Sequence, residues 1–203
     1  MNRLIFIIII LNQILMATLV HCKRYPVPES FMIQNFPTIT QPDDISCGPT
    51  SCVMVAEYYG KKLTVVEAKK LGKTIWGTYK GKEIGMTSPD YVPVILQKVG
   101  LSITLEKGNL NKLQHYVSLN KPIMVLVRTG DKFWHYVVVI GYNQDKIFIS
   151  DPGFGEIYSI SNKDFLSAWS FSGTLRGEKI PTNLYGMIVE WADVKGNLMF
   201  VPK

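Results

Sequence analysis

The chain has 203 residues, 47% of them hydrophobic, and carries a formal net charge of +6. This composition excludes an intrinsically disordered protein, and the length suits a single domain with a sizeable core. The lysines are scattered and form only short pairs such as Lys61-Lys62 and Lys69-Lys70, so we expect no nucleic-acid partner and no polybasic membrane segment.

Residues 1–22 have the composition of an export signal peptide. Arg3 gives a positive start, residues 4–19 are mostly apolar, and Val20-His21-Cys22 offers a cleavage site. The mature chain would then begin near Lys23 and function outside the cytoplasm, secreted or periplasmic. Two alternatives stay open: the segment remains as a membrane anchor, or its cysteine is lipidated after cleavage. We expect contact with a membrane only in these two cases.

Residues 23–40 contain three prolines and show no clear hydrophobic periodicity, so they predict an extended arm with room for a short strand. The domain proper is predicted to span residues 41–171. Residues 172–203 are predicted to complete the same domain with C-terminal strands, because residues 185–191 and 197–201 alternate in hydrophobicity on either side of a Lys-Gly turn.

Cys47 is predicted to begin the first helix. Pro49 suits the first helical turn, and apolar residues follow at helical spacing, at Cys52, Val55, Ala56 and Tyr59. This pattern places Cys52 in the core, too far along the helix for a disulfide with Cys47. Unpaired N–H groups at a helix start favour a thiolate, so Cys47 is the candidate nucleophile.

The remaining elements predict an α+β fold, with helices first and an antiparallel sheet after them. Residues 72–85 contain four glycines and are interpreted as a long surface loop that could border a cleft. Helices are predicted for residues 64–71, 91–99 and 110–119, and strands for residues 101–105, 123–127, 133–142 and 146–150.

A hairpin around Asn143 would bring His135 and Asp151 roughly opposite each other on neighbouring strands. We therefore predict that Asp151 accepts a hydrogen bond from Nδ1–H of His135, while Nε2 faces Cys47. This arrangement of orienting carboxylate, base and nucleophile is typical of acyl-transfer sites. Gln41 would donate its side-chain amide to the oxyanion, together with the backbone N–H of Cys47.

Two further residues are predicted to contact substrate. Gly48 would leave room for a substrate backbone, and Trp134 would form a wall of the substrate groove. His115 lies in a polar helical segment and is predicted to be solvated. No metal site and no cofactor are expected, because the cysteines and histidines lack the close paired spacing of a zinc site.

Taken in order, these motifs resemble the bacteriocin-processing, double-glycine-type cysteine peptidases of the peptidase C39-like family, in the papain-like superfamily. The resemblance covers residues 41–169. It is carried by Gln41 six residues before Cys47, by the helix start Cys-Gly-Pro-Thr-Ser, by His135 opening Tyr-Val-Val-Val-Ile-Gly-Tyr, and by Asp151-Pro152. Ser46 departs from the pattern, since the leader peptidases often have aspartate there.

The resemblance implies a papain-like fold, N-terminal helices packed on an antiparallel sheet, and an exported, stand-alone thiol peptidase. In it Cys47 attacks a peptide carbonyl, His135 acts as base and acid, Asp151 orients His135 and Gln41 lines the oxyanion hole. The expected partner is a peptide or protein substrate, and the chain is expected to be a monomer. Two alternatives are an acyl transferase with the same thioester chemistry and a catalytically idle binding or effector module.

Overall fold

The computed structural model describes residues 25–129, 133–169, 171–174 and 193–203. The predicted signal peptide and the predicted strand at residues 185–191 lie outside the described residues. The helices are α1 (Cys47–Tyr58), α2 (Val65–Leu71), α3 (Tyr91–Gln97), α4 (Leu110–Ser118) and α5 (Asn162–Ala168). The strands are β1 (Phe31–Met32), β2 (Ile75–Tyr79), β3 (Lys82–Gly85), β4 (Ile103–Lys107), β5 (Ile123–Thr129), β6 (Phe133–Tyr142), β7 (Lys146–Asp151), β8 (Glu156–Ser161), β9 (Phe171–Thr174), β10 (Asp193–Gly196) and β11 (Leu198–Pro202).

One large antiparallel sheet organises the fold, with strand order β4-β11-β5-β6-β7-β8, and β1 adds to β6. Strands β5, β6 and β7 lie where the sequence has runs of β-branched and aromatic residues, as predicted. Helix α1 packs against β6 and contacts α2 and α3. The α+β prediction is confirmed.

Helix α1 is buried from Cys47 to Ala56, because it lies between the sheet and the other helices. Three members of the predicted core stripe, Cys52, Val55 and Ala56, are at most 1% exposed, whereas the fourth, Tyr59, lies just after the helix and is half-buried. Helix α2 begins with a reciprocal cap in which the Thr64 hydroxyl accepts from the Glu67 N–H and the Glu67 carboxylate accepts from the Thr64 N–H.

The prediction of a loop over residues 72–85 is wrong. Strands β2 and β3 form a separate two-stranded hairpin there. Its turn places Lys80 and Gly81 at positive φ, 50° and 77°, which suits the twist of a tight hairpin. A bulge between Ile75 and Gly77 interrupts the simple alternation that would have signalled a strand.

The N-terminal arm packs along the sheet. Its strand β1 pairs with the end of β6, and the Tyr142 hydroxyl donates to the carbonyl of Pro28. Ile33 and Phe36 are buried in the core. Thus the arm carries part of the packing that holds β6, the strand on which His135 lies.

The C-terminal strand β11 lies inside the sheet, bonded to β4 on one side and to β5 on the other, and all five of its residues are buried. The segment before it, β10, pairs with β9. In the described parts of the chain, every helix is too short or too polar to cross a membrane.

Candidate active site

Cys47 is the first residue of α1 and is buried, with a free thiol. The carbonyl of Ser46, just before it, accepts the Thr50 N–H at 2.8 Å and closes the first turn. Cys52 is also a free thiol but is fully buried in the core, and this burial raises its pKa. Of these two cysteines only Cys47 lies beside the imidazole of His135.

His135, on β6, and Asp151, at the end of β7, form a short hydrogen bond of 2.6 Å. The atom involved is Nε2, so the prediction that Nδ1 faces the carboxylate is wrong. Because Nε2 is occupied by Asp151, Nδ1 is the nitrogen available to Cys47, whose thiol is close enough to the ring to affect its pKa.

The register between β6 and β7 also differs from the prediction. Ser150 pairs with Val138, and a bulge follows between Val139 and Gly141. This register puts Asp151 diagonally across from His135, and the two side chains meet along the diagonal. The bulge shifts the strands without separating the two groups.

The electrostatics of the pair favour charge on both partners. Burial opposes protonation of His135, but hydrogen bonds to Asp151 and Cys47 outweigh it and raise its pKa to about 9. Burial also opposes ionisation of Asp151, yet the bond to His135 and the donors around the carboxylate hold its pKa below the usual value. An imidazolium beside the Asp151 carboxylate is therefore the favoured form of the pair.

Asp151 is held by donors beyond His135. The Gly153 N–H donates to Oδ1 at 2.7 Å, and the Tyr158 hydroxyl donates to Oδ2 at 2.9 Å. Tyr158 was not predicted from the sequence as part of the site. The turn after Asp151 could have predicted it, because a short hairpin leads from this turn into β8 and places Tyr158 beside the carboxylate.

Gln41 is tied to the same turn by its backbone, since its N–H donates to the carbonyl of Pro152 at 2.7 Å. Its side-chain Nε2 donates to the carbonyl of Asp43 at 2.7 Å, and its buried Oε1 has no hydrogen-bond partner. A primary amide carries two N–H donors, so one remains available for another acceptor.

Residues 33–175, more than half of the chain, match the model of the Peptidase_C39 like family. The chain belongs to this family. A similar protein is the transport/processing ATP-binding protein ComA of Streptococcus pneumoniae, 28% identical over 131 residues, or 64% of this chain. The chain spans about 17% of the length of the curated relatives it matches.

Two solved structures share the C39-like fold. The peptidase domain of Streptococcus ComA, described as a bifunctional ABC transporter, has a TM-score of 0.57 and 22% identity, covering 83% of this chain and all of that domain. A double glycine motif protease from an AMS/PCAT transporter, in complex with the leader peptide, has a TM-score of 0.53 and 18% identity. It covers 91% of this chain and 97% of that one. The predicted papain-like fold is confirmed.

In this C39-like chain, Asp43 fixes the loop between Gln41 and Cys47. Its Oδ1 accepts the Ile45 N–H at 3.1 Å and the Ser46 hydroxyl at 2.7 Å. Its Oδ2 pairs with Lys69 of α2 at 2.9 Å, and Lys69 also bonds Glu83 of the β2–β3 hairpin at 2.7 Å. Asp43 was not recognised in the sequence as part of the site.

Gly48 and Trp134, the two residues predicted to contact substrate, have other contacts in this C39-like structure. A Cβ at Gly48 would lie 2.9 Å from Cβ of Thr87 and 3.1 Å from the Tyr136 ring, so internal packing explains the glycine. Trp134 is half-buried, with the guanidinium of Arg128 at 5.6 Å from its ring centroid. Their substrate contacts stay predictions.

The prediction that His115 is solvated is wrong. Its ring stacks on Tyr25 at 4.6 Å between centroids, and its Nδ1 is buried without a partner. His115 belongs to α4, which packs against the arm and the sheet, so it is separate from the C39-like site. Within the described ranges, no group of three or more His, Cys, Asp or Glu side chains could hold a metal ion.

Proposed function

We propose that this chain is an exported cysteine peptidase that cleaves peptide bonds through Cys47, His135 and Asp151. The observation that carries the proposal is the position of His135, which is hydrogen-bonded to Asp151 at 2.6 Å and lies close enough to Cys47 for the two groups to interact. Membership of a peptidase family supports the reaction class.

Acylation begins with attack of the Cys47 sulfur on a substrate carbonyl carbon, which forms the C–S bond and places negative charge on the carbonyl oxygen. Protonated His135 then gives its proton to the leaving amine as the C–N bond breaks. The product is a thioester on Cys47 and a free amine. Asp151 holds the ring in place and stabilises its positive charge.

Deacylation repeats these steps with water. Neutral His135 accepts a proton from water, the resulting hydroxide oxygen bonds the thioester carbonyl carbon, and the C–S bond breaks to release a carboxylic acid. An acyl transferase would use an amine or thiol in place of water. Product analysis with an added amine separates the peptidase from this alternative.

Gln41 and the backbone N–H of Cys47 are proposed as the oxyanion donors. The Cys47 N–H lies at the start of a helix, where backbone donors are not used within the helix. Gln41 has one amide N–H beyond its bond to Asp43, and its backbone is anchored to Pro152. Two preorganised donors would stabilise the tetrahedral intermediate.

Export is proposed from residues 1–22, whose positive start, apolar stretch and cleavage site fit a signal peptide. Secretion of the full chain from a bacterial host, followed by N-terminal sequencing, tests this part separately. A new N-terminus near Lys23 is the expected result, whereas an intact N-terminus in the cytoplasm would refute export.

The decisive experiment on the site is labelling with a limiting amount of iodoacetamide at about pH 6, with the modified cysteine mapped by mass spectrometry. We expect fast alkylation at Cys47 that is lost in His135→Ala, and we expect Cys52 to stay unmodified. Cys47→Ala should then abolish cleavage of an unfolded protein substrate. Alkylation of Cys47 that is slow, or equal in the two proteins, would favour the idle binding module.

A further inference from the structure

Half of the exposed apolar side chains lie in one short segment of the fold. Among the described residues, eight large apolar side chains are exposed, and four of them lie between residues 61 and 85: Val66, Ile75, Trp76 and Ile84. Trp76 is 50% exposed, although an indole ring is among the side chains that gain most from burial. Such a cluster on a folded domain marks a surface that contacts another apolar body.

The same segment carries most of the positive charge. Residues 61–85 contain seven lysines and two glutamates, a balance of +5, whereas the rest of the chain has 15 basic and 14 acidic residues, a balance of +1. Six of the seven lysines are exposed, and the other, Lys69, pairs with Asp43 and Glu83. The positive charge of the chain is therefore concentrated at one place on the fold.

Helix α2 and the β2–β3 hairpin form a single surface from this segment, the 61–85 surface. The Lys69 ammonium of α2 donates to Glu83 of β3 at 2.7 Å, and the carbonyl of Lys69 accepts the Thr74 N–H at 3.1 Å. Lys69 also pairs with Asp43, in the loop that leads to Cys47. The surface is therefore fixed to the part of the domain that carries the candidate nucleophile.

The ion pair of Glu83 shows which face of the hairpin is turned outward. Side chains alternate between the two faces of a strand, so Lys82 and Ile84 lie on the face opposite to Glu83. Gly77 pairs with Ile84, and a Cβ at Gly77 would have no atom within 4 Å. Lys82 and Ile84 therefore lie together on a face that is open to solvent.

An anionic lipid surface suits both kinds of side chain. Tryptophan prefers the boundary between lipid headgroups and acyl chains, and lysine can lay its apolar stem there while its ammonium stays among the phosphates. A soluble polyanion would pair with the lysines but leave the aliphatic side chains in water. An uncharged groove of another protein would cover the apolar side chains but leave the lysines without counter-ions. Only the lipid surface accounts for the apolar cluster and the charge together.

We propose that the 61–85 surface binds the face of an anionic lipid bilayer, with Trp76 and Ile84 at the headgroup boundary and the exposed lysines among the phosphates. This interaction goes beyond the proposed peptidase function and uses none of the residues assigned to catalysis. It is also independent of residues 1–22, so it adds a contact with the membrane to those expected from an uncleaved or lipidated leader.

Co-sedimentation with lipid vesicles tests the proposal. The vesicles contain phosphatidylcholine alone or phosphatidylcholine with an equal part of phosphatidylglycerol. The wild-type protein should bind the anionic vesicles about tenfold or more tightly than the neutral ones, and added salt should weaken this binding. Every variant is prepared with the same N-terminus as the wild type, so a difference between proteins does not arise from residues 1–22.

Two variants separate the apolar from the charged contribution. Trp76→Ser should weaken binding to the anionic vesicles by about tenfold, because it removes the largest apolar side chain of the surface. Lys70→Gln combined with Lys82→Gln should weaken it by about twentyfold, because each lysine near an anionic bilayer contributes about fivefold. Ile84→Ser is a second apolar variant, and urea unfolding shows which of the variants are folded.

Matched controls remove the same groups from other parts of the fold. Phe154→Ser removes a 68% exposed ring from the turn between β7 and β8. Lys146→Gln combined with Lys163→Gln removes two exposed lysines from β7 and α5, so the net charge falls as in the Lys70 and Lys82 variant. Both controls should bind the anionic vesicles like the wild type.

Four results would overturn the proposal. Equal losses in the two lysine variants would assign binding to total charge, and undiminished binding by folded Trp76→Ser and Ile84→Ser would show that the apolar side chains make no contact. Wild-type protein that binds a DNA oligonucleotide but not the anionic vesicles would identify a soluble polyanion. Vesicle binding that is unchanged in Trp76→Ser, with a raised KM for peptides, would show that the apolar cluster contacts a polypeptide.

Discussion

Substitution of Asp43 by alanine tests whether the loop before Cys47 is held by a single carboxylate. The change removes the acceptor for the Ile45 N–H and for the Ser46 hydroxyl, and it removes the ion pair with Lys69. Ser46 is fully buried, so its hydroxyl would lose its partner, at a cost of about 1–3 kcal/mol. The Asp43 side chain is 39% exposed, so screening limits the ion pair to about 1 kcal/mol.

We therefore expect Asp43→Ala to lower the free energy of unfolding by about 2–4 kcal/mol. Because the same loop carries Gln41 and leads into Cys47, alkylation of Cys47 should also slow by about tenfold, the effect of a small misplacement. Urea unfolding measures the first quantity and timed labelling with iodoacetamide measures the second.

Two companion variants show which interaction matters. Asp43→Asn keeps an oxygen acceptor and loses the charge, so it should cost about 1 kcal/mol. Lys69→Met removes the ion pairs with Asp43 and Glu83 and should leave alkylation of Cys47 close to the wild-type rate. If Asp43→Ala unfolds and is alkylated like the wild type, the reasoning is refuted. If Asp43→Asn loses as much stability and alkylation rate as Asp43→Ala, the effect is due to the charge.

Three other expectations follow from the site. Tyr158→Phe deletes the donor to Oδ2 of Asp151. It should lower kcat by about tenfold with little change in KM, because a hydrogen bond to a charged group contributes about 1.5–3 kcal/mol. A kcat equal to that of the wild type would count against a positioning role for Tyr158. Since the pKa of His135 rises from 6.5 to about 9 on folding, its contribution to stability is complete below pH 6.5 and is lost as the pH rises through 9. Urea unfolding across this range should show that loss in wild type and not in His135→Ala, and parallel curves would contradict the linkage. Cys52→Ala leaves a small cavity in the core and should lower the free energy of unfolding by about 1 kcal/mol, measured by urea unfolding. Alkylation of Cys47 should continue in this variant. Loss of that alkylation would contradict the separate roles of the two thiols.

Much of the fold could be predicted from local pattern. Strand β6 has the predicted bounds because its apolar run is long and unbroken, and α2 follows its capping residues at Thr64 and Glu67. The β2–β3 hairpin was missed because its glycines were interpreted as loop signals, although Lys80-Gly81 at positive φ is what a tight hairpin turn requires. A bulge at Trp76 also interrupts the alternation of apolar and polar residues that would have predicted a strand.

The candidate site was predictable only in part. The order of Gln41, Cys47, His135 and Asp151 indicates which side chains meet, and the structure brings the last three together. The ring nitrogen that faces Asp151 depends on how the imidazole is rotated, and the β6–β7 register depends on a bulge; tertiary packing decides both. The partners of a carboxylate also depend on distant segments, so the contacts of Asp43 with Lys69 could not be inferred from local sequence.

Strand β11 has a consequence for how the domain is assembled. Among the strands that the structure describes, β4 is joined to the rest of the sheet only through β11, which follows β4 and β5 after a long stretch of sequence. Until residues 198–202 are in place, β4 and β5 both present unpaired edges, and such non-local pairing is slow to form. Proteolysis or a stop codon ahead of Leu198 would remove β11, the strand that connects β4 to the sheet carrying His135.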